Sequence, residues 1–417
     1  MNRNIQIKKL HDCATIIAGQ SPESKYYNTN GDGVPFFQGK ADFGEKYPII
    51  RVYCTNPTKM AEKDDILLSV RAPVGPTNLS PGNVCIGRGL SAIRPHEELN
   101  LHYLLCYFKY FEAQLSAKGT GTTFKAITQS VLKNLDVPIP SLSEQERIVS
   151  RIEELFSELD NAVETLNATK KQLEVYRQAV INEAFLGAFT EDFRKKNVRN
   201  INVDLEWADQ SQTVSLPRIP DTWRYIQLSM LGDLGRGKSR HRPRNDKRLF
   251  ENGKYPFLQT SEVKAASKYV TQYSKKYNDF GLEQSKLWPK GTLCITIAAN
   301  IAETAFLGID ACFPDSVVGF TANETVLPEY IKYFIESQKI RLWAFAPATA
   351  QKNINLTTLE NLIIPYCSIN EQAEVVNEIE SRLTICSNIE KTVDDALTQA
   401  SAMRQSILKQ AFEGGLQ

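Results

Sequence analysis

Two stretches of the chain carry apolar residues at alternating spacings of three and four positions. The first series runs from Ile148 to Val180 and the second from Val375 to Ile407, with mostly polar residues between them. An average spacing of 3.5 residues over about five heptads is typical of long helices that pack along a narrow seam. We predict two helices of about 45 residues, each roughly 65–70 Å long at 1.5 Å per residue. The seam residues are Ile148, Ile152, Leu159, Leu166 and Leu173 in the first helix, and Val375, Ile379, Ile389, Val393 and Ile407 in the second.

Both apolar series have the same start and stop signals. An S-x-x-E capping sequence precedes each series, and a glycine of the kind that ends helices follows it. These residues are Ser141, Glu144 and Gly187 for the first helix, and Ser368, Glu371 and Gly414 for the second. Arg382 is the one residue out of character in the seam, and Leu383 beside it can take its place.

The chain is an internal repeat. The stretch SLSEQERIVSRIEELFSELD (141–160) corresponds to SINEQAEVVNEIESRLTICS (368–387), an offset of 227 residues. The same register extends back to NLDVPIPS (134–141) and NLIIPYCS (361–368), and with smaller offsets VPFFQ (34–38) corresponds to YPFLQ (255–259) and Gly19 to Gly237. The molecule is therefore predicted to contain two copies of a unit of about two hundred residues, a size typical of repeats with their own core.

The regions before each long helix mix short β-branched and aromatic runs with Gly, Pro and Asn punctuation, and each holds one amphipathic helix, at 99–115 and 327–345. The predicted class is α+β, with two similar globular domains alternating with two long helices that pack as an antiparallel coiled coil. The predicted segments are 1–140 (globular), 141–189 (helix), 190–216 (polar linker), 217–367 (globular) and 368–417 (helix). Trp223 is expected to anchor the start of the second globular domain.

Composition narrows the possible functions. The 417 residues carry 49 basic and 48 acidic side chains, so affinity for a polyanion has to come from a local patch. Eight cysteines without a C-x-x-C pair and only four histidines argue against a structural zinc site. Neither a signal peptide nor a membrane-spanning run is evident, so we expect a cytoplasmic protein that binds no membrane.

Positive charge is concentrated in the loop RGKSRHRPRNDKR (236–248), in which Gly237 is expected to make a turn. This basic loop carries Arg236, Lys238, Arg240, Arg242, Arg244, Lys247 and Arg248 against the single acid Asp246. Such side chains neutralise phosphates, and arginine also forks onto guanine. The corresponding stretch of the first copy offers Gln20, Ser21, Lys25 and Tyr26, which suit base edges and sugars.

Further candidate contacts come from two other segments. Lys275 and Lys276 lie in a run that interleaves lysine with tyrosine, which suits phosphate contact and stacking but equally suits a solvated strand. Lys125 and Lys352 occupy the same place in loops of small residues before the two NLxxP sequences. These loops suit backbone approach to a phosphate, and they suit a plain turn equally well.

The octapeptide GDLGRGKS (232–239) fits the phosphate-binding P-loop pattern. A P-loop needs a helix directly after it, but RHRPRNDKR follows, with Pro243 and no apolar periodicity. The first copy has Gln20 where the second has Lys238, so the unit folds without the pattern. Methyltransferase and nuclease motifs are absent as well. We therefore predict a binding protein without catalytic residues.

The chain resembles the specificity subunits of type I restriction–modification systems. The resemblance spans essentially the whole chain and depends on PIPSLSEQERIV before the first helix and on RQ-x-x-x-x-x-AF-x-G, which occurs at 177–187 and again at 404–414. Two departures are Cys367, which stands where the first copy has Pro140, and Arg382 in the second helix.

The resemblance implies two target-recognition domains, each reading one half of a split site in double-stranded DNA, with the helices fixing the gap between the halves. It implies two adenine-N6 methyltransferase subunits that use S-adenosylmethionine, and restriction subunits that use ATP and magnesium. The chain itself would carry no cofactor and no catalysis. Seven acids in each of 144–164 and 371–395 agree with helices that recruit protein partners and do not lie on DNA. The alternatives are a coiled-coil scaffold without nucleic-acid contact, or a P-loop nucleotide hydrolase.

Overall fold

The computed structural model describes residues 5–119, 126–197, 216–345 and 353–414. Two compact units make up the chain: unit 1 contains residues 1–168 and 393–417, and unit 2 contains residues 169–392. Each long helix begins in one unit and ends in the other, because the first spans Leu142–Ala184 and the second Ile369–Phe412. No helix among the described residues is long and apolar enough to cross a bilayer.

The described residues of unit 1 form three small sheets. Its strands are β1 (Gln6–Lys9), β2 (Ala14–Ala18), β3 (Tyr27–Asn28), β4 (Val34–Phe37), β5 (Tyr53–Cys54), β6 (Met60–Ala61), β7 (Ile66–Ser69), β8 (Thr77–Leu79), β9 (Val84–Ile86), β10 (Leu90–Pro95) and β11 (Asp136–Ile139). They pair in the orders β1-β11, β2-β10-β7-β8 and β3-β5-β4-β9-β6. The short helices are Leu10–Cys13, Leu101–Ala117 and Gln129–Lys133, with 3₁₀ turns at Ser24–Tyr26 and Lys40–Asp42.

Unit 2 repeats this plan. Its strands are β12 (Arg224–Gln227), β13 (Gly232–Arg236), β14 (Tyr255–Phe257), β15 (Tyr269–Val270), β16 (Lys275–Tyr277), β17 (Leu287–Trp288), β18 (Leu293–Thr296), β19 (Thr304–Leu307), β20 (Ala311–Cys312), β21 (Val317–Ala322) and β22 (Ile363–Tyr366). They pair as β12-β22, β13-β21-β18-β19-β15 and β16-β14-β20-β17. Its helices are Glu191–Lys196, Thr260–Ala265, Asp279–Glu283, Pro328–Ser337, Lys339–Phe345 and Leu356–Glu360, with 3₁₀ turns at Leu228–Met230 and Lys247–Leu249.

The α+β class and the duplication predicted from the sequence are confirmed. The order β2-β10-β7-β8 in unit 1 has its counterpart in β13-β21-β18-β19 of unit 2, with β15 added in parallel at the edge. The central strands β7 and β18 are apolar and fully buried, which suits strands covered on both faces. Trp223 is 1% exposed in the core of unit 2, as expected for an anchor.

One helix prediction needs correction. The helix expected over 99–115 spans Leu101–Ala117, but the helix expected over 327–345 is two helices that meet at Gln338. The Ser337 hydroxyl donates to the Phe334 carbonyl at 2.6 Å and so competes with the helical pattern at this point.

The long helices begin and end as their signals predict. The hydroxyls of Ser141 and Ser368 accept from the main-chain N–H groups three residues later, at 3.4 and 3.3 Å. Gly187 and Gly414 follow the helices with φ of 77° and 90°, a backbone conformation that favours glycine.

A buried glutamine joins each long helix to its globular domain. In unit 1 the Gln145 amide donates to the carbonyls of Glu98 and Pro140 and accepts from the Asn100 N–H, at 2.7–2.9 Å. In unit 2 the Gln372 amide repeats these contacts with Thr325, Cys367 and Leu327. Both glutamines are 0% exposed. This side chain is the Gln of the EQ pair at the start of each helix.

The end of each long helix packs beside the start of the other. In unit 2, Ile181, Ala184 and Phe185 share a core with Val375, Val376 and Ile379. In unit 1, Ile407, Leu408 and Ala411 share a core with Ile148, Val149 and Ile152. The helices are therefore antiparallel, as predicted.

The AF and RQ motifs mediate this packing. Phe185 lies edge-on to Tyr330 and Phe334, at 4.9 and 5.3 Å between ring centroids. Phe412 is tilted against Tyr103 at 5.2 Å and lies edge-on to Tyr107 at 5.4 Å. The motif arginines form salt bridges to the other helix, from Arg177 to Glu390 at 2.9 Å and from Arg404 to Asp160.

The predicted seam is buried to different degrees. Ile148, Ile152, Val375, Ile379, Val393 and Ile407 are buried, whereas Leu159, Leu166 and Leu173 are half-buried. Ile389 is 42% exposed, so its assignment to the seam is corrected. Cys386 and Val393, one heptad apart, are the buried side chains around it. Arg382 stacks on the Phe189 ring and pairs with Glu378, and Leu383 packs against the core as expected.

The aromatic contact of Phe185 predicts a large effect on stability. Replacing Phe185 by alanine leaves a cavity against Tyr330 and Phe334, and we expect a loss of about 3–5 kcal/mol in the free energy of unfolding. Urea unfolding of the full chain measures this loss. Val175→Ala in the same helix is the control, because Val175 is 71% exposed and its removal should cost less than about 0.5 kcal/mol. Equal losses for the two variants would contradict the assigned packing.

Candidate nucleic-acid interface

The P-loop-like octapeptide does not form a nucleotide cradle. Gly232–Arg236 is strand β13, paired antiparallel with β21. The Gly237 N–H donates to the Val317 carbonyl at 2.9 Å, and no helix begins at Ser239. Without a helix N-terminus, the main-chain N–H groups that would hold a phosphate group are not assembled.

Gly237 and Gly19 are equivalent, but not because they make a turn. Each follows directly after a strand, outside any turn, and neither has a positive φ, so the expected turn is wrong. A Cβ on Gly19 would lie 2.2 Å from the Gly87 carbonyl oxygen, and one on Gly237 would lie 2.3 Å from that of Pro314. Glycine is needed because two backbone segments pass in contact at this point of each unit.

Four of the seven basic side chains of the basic loop are held by acceptors within unit 2. Arg244 donates two hydrogen bonds to Asp315, at 2.8 and 2.9 Å, and Arg248 and His241 both contact Asp246. These two partners hold the pKa of the Asp246 carboxyl well below its usual range. Arg236 and Arg242 donate to the main-chain carbonyls of Asp315 and Ser239. These contacts shape the loop.

Five other candidate cations of unit 2 face solvent. Lys238, Arg240, Lys247, Lys275 and Lys276 are exposed, and none has an acidic partner among the described residues. The ammonium groups of Lys275 and Lys276 lie over the rings of Phe250 and Tyr273, at 5.3 and 5.5 Å. Cations without an acidic partner are the groups that a phosphate backbone can engage at little cost.

The candidates in unit 1 have other roles. Lys25 pairs with Glu23 at 2.6 Å and lies over the Tyr26 ring, so its charge is already partly satisfied. The Ser21 hydroxyl accepts from the Arg88 N–H at 3.2 Å, and Gln20 is exposed. Lys125 and Lys352 lie outside the described residues, so they stay predictions.

Each unit has a cavity near its equivalent glycine, lined by polar and apolar side chains. The first cavity, of about 580 Å³, is lined by Ser21, Gln38, Arg71 and Arg88 among others. The second cavity, of about 260 Å³, is lined by Ser239, Gln259, Arg244 and Lys275 among others.

Sequence reasoning missed four residues of these cavities: Gln38, Arg71, Arg88 and Gln259. The alignment of VPFFQ with YPFLQ already places Gln38 opposite Gln259 and could have identified both. Arg71 and Arg88 are exposed, and neither has an acidic partner within the described chain. Each lies alone among apolar and polar neighbours in the sequence, so no run of charge marked them.

A metal site and a reactive thiol set different requirements for the titratable groups of the described residues. No group of three or more His, Cys, Asp or Glu residues among them could hold a metal ion. Burial raises the pKa of the Cys106 and Cys312 thiols to about 11, which keeps them protonated at neutral pH. The accessible chemistry of the site is hydrogen bonding and positive charge.

The chain matches a known protein family. The family described as type I restriction modification DNA specificity domain matches the chain twice, over residues 2–175 and 220–399. The two matched regions correspond to the two copies of the repeat.

Named relatives agree with this match. A protein of Methanocaldococcus jannaschii named as the MjaX specificity subunit of a type I restriction enzyme is 40% identical over 41% of this chain and 40% of its own length. The type I restriction enzyme EcoBI specificity subunit of Escherichia coli is 23% identical over 97% of this chain and 84% of its own length.

Two solved structures share the fold. A chain from a structure of type I R-M complex assembly and conformational transition aligns over 99% of this chain and 98% of its own length, with a TM-score of 0.73 and 18% identity. The HsdS subunit from Thermoanaerobacter tengcongensis aligns over 100% of this chain and 98% of its own length, with a TM-score of 0.58 and 16% identity.

The charge arrangement predicts opposite salt effects for two variants. Lys238→Ala removes an exposed cation without an acidic partner, so the slope of log K against log salt for duplex DNA should become shallower by about one. Asp315→Ala releases Arg244 and should make the slope steeper by about one. Fluorescence anisotropy at several salt concentrations measures both slopes.

Lys195→Ala is the control for this pair, because Lys195 is paired with Glu191 at 2.8 Å and its removal should leave the slope unchanged. An unchanged slope for Lys238→Ala would show that the basic loop does not meet the phosphate backbone.

Proposed function

The chain belongs to the type I restriction modification DNA specificity family, and from this membership we propose that each unit reads one half of a bipartite site in duplex DNA. The chain is a DNA sequence-specificity subunit and is not itself an enzyme. The observation that carries the proposal is the pair of cavities beside Gly19 and Gly237, which are equivalent in position and differ in the charges around them. Equivalent sites with unequal side chains suit two half-sites of different sequence.

The two long helices are proposed to set the distance between the half-sites. Each is continuous, with 43 and 44 residues, and each has residues in both units. Continuous helices are stiff over this length, so we propose that their length determines the separation of the two half-sites in the DNA. Half-site centres on one face of a duplex are separated by about 34 Å per turn.

A specificity subunit of this family binds DNA and assembles with methyltransferase and restriction subunits. We further propose that two adenine-N6 methyltransferase subunits bind this chain, one for each half-site. The chain is proposed to need no cofactor, with S-adenosylmethionine used by the methyltransferase and ATP and magnesium by the restriction subunits. The acidic helix faces support protein partners, because they would repel phosphate.

Selection from a random library tests the bipartite reading. The full chain, purified with its methyltransferase subunit, is expected to retain duplexes that carry two unequal specified segments at one fixed separation. Sequencing of the retained duplexes measures this. Retention without sequence preference would favour a scaffold that only touches DNA, and one contiguous motif would contradict the division between the two units.

Deleting one heptad from each helix tests the spacing role. Removing residues 167–173 and the equivalent 394–400 shortens each helix by about 10 Å, at 1.5 Å per residue. The unspecified gap should therefore shrink by about three base pairs, read by sequencing methylated adenines in cells that carry the deletion with its methyltransferase.

The control for the deletion keeps these fourteen residues but replaces their exposed positions by alanine, and the gap should then stay as in the wild type. A gap that is unchanged after the deletion would refute the spacing role.

A further inference from the structure

We propose that Gln38 and Gln259 are equivalent base-reading residues, each contacting one base edge in its own half-site. The proposal rests on the proposed function, because it names the side chains with which each unit discriminates sequence. It is carried by the positions of the two side chains, the way their backbone is held, and the charges around them.

The two cavities are the same place in the two copies. Residues that correspond in the alignment of the two copies line both cavities. These pairs are Ser21 and Ser239, Phe36 and Phe257, and Gln38 and Gln259. The floor is formed by the segments that contact the equivalent glycines. In unit 1, a Cβ on Gly87 would meet the Ser21 hydroxyl, the Gln38 Cα and the Phe36 ring at 3.1–3.3 Å.

The backbone of each glutamine is fixed. The Gln38 N–H donates to the Asp42 carboxylate at 2.7 Å, and the Gln259 N–H donates to the Glu262 carboxylate at 3.1 Å. The residue before each is fully buried, namely Phe37 and Leu258. Successive side chains of an extended segment point to opposite faces, so a buried residue before each glutamine turns the amide away from the core.

The side chain of Gln38 is available for a ligand. It is exposed, and its amide has no hydrogen-bond partner within the described residues. An amide presents a donor and an acceptor side by side, which is the pattern that pairs with N6 and N7 of adenine in the major groove. A fixed backbone limits the entropy lost when such a side chain binds.

The charges around the two glutamines differ for a definite reason. Arg88 of unit 1 corresponds in the repeat to Asp315 of unit 2. Arg88 and Arg71 therefore form no salt bridge beside Gln38, where the Asp42 carboxylate accepts from main-chain N–H groups instead. Beside Gln259, by contrast, Asp315 holds Arg244 by two hydrogen bonds. We expect both half-sites to contain an adenine read by glutamine, with a guanine or phosphate contact from arginine next to it only in the first.

Isosteric variants test the proposal. Gln38→Met and Gln259→Met keep the side-chain size and remove its donor and acceptor. Each full-length variant, purified with its methyltransferase subunit, is used in selection from a random duplex library. We expect Gln38→Met to lose discrimination roughly 5- to 150-fold at one base pair of one half-site, and Gln259→Met to do so in the other half-site only.

Two matched controls and a second substitution guard the interpretation. Gln114→Met and Gln272→Met change exposed glutamines that line neither cavity, and both should keep the wild-type motif. Gln38→Glu replaces the amide with an acceptor-only carboxylate and should shift the preference at the same position toward cytosine. A thermal unfolding midpoint matching the wild type verifies folding of each variant.

The outcomes distinguish a failure of the glutamine assignment from a failure of the proposed bipartite DNA recognition. Wild-type selection of a bipartite motif that both Met variants and Gln38→Glu retain at every position would overturn the role of the glutamines and leave the proposed function standing. The role of the glutamines would also be overturned if each Met variant bound all duplex sequences more weakly by the same factor. A wild-type protein that selects no bipartite motif would overturn both.

Discussion

The orientation of each globular domain on its long helix depends on one buried amide. Gln145 and Gln372 are fully buried, and each bonds two carbonyls and one N–H of its own unit. A buried amide left without such partners would cost about 1–3 kcal/mol per unpaired group. Three hydrogen bonds to one planar group leave a single direction for the helix to start. The sheets and the cavities keep a fixed geometry relative to that helix start because the amide is in place.

The end of each helix completes the same arrangement with apolar contacts. Phe185 and Phe412 insert among the aromatic rings of the short helices, and the hydroxyls of Tyr103 and Tyr330 donate to the carbonyls of Pro138 and Pro365, at 2.9 and 2.7 Å. The aromatic side chains therefore bury area and fix the strands β11 and β22 at once. The glutamine at the helix start and the phenylalanine at the helix end together explain why both copies keep these motifs.

Local sequence patterns are sufficient to predict the long helices and the repeat, but not to predict which side chains form the candidate sites. The period of Ile148 to Val180, the serine caps and the glycine stops depend on neighbouring residues, and they predicted helix bounds within a few positions. The sheet orders could not be read, because they pair short strands far apart in the chain, such as β2 with β10. Pairing of Arg244 with Asp315 likewise joins residues 71 positions apart, so the free charge of the basic loop was overestimated. Ile389 occupies a position of the heptad pattern, but its side chain is exposed in the structure.

Unit 1 is discontinuous in the chain, and this has a consequence for its biosynthesis. Residues 169–392, which form unit 2, leave the ribosome between the two segments of unit 1. The contacts of Phe412 with Tyr103 and Tyr107 can form only after the last segment of the chain has been synthesised. Exposed apolar surface makes partly folded chains prone to aggregation and chaperone binding. Completion of the core that is translated first therefore depends on the residues that are translated last.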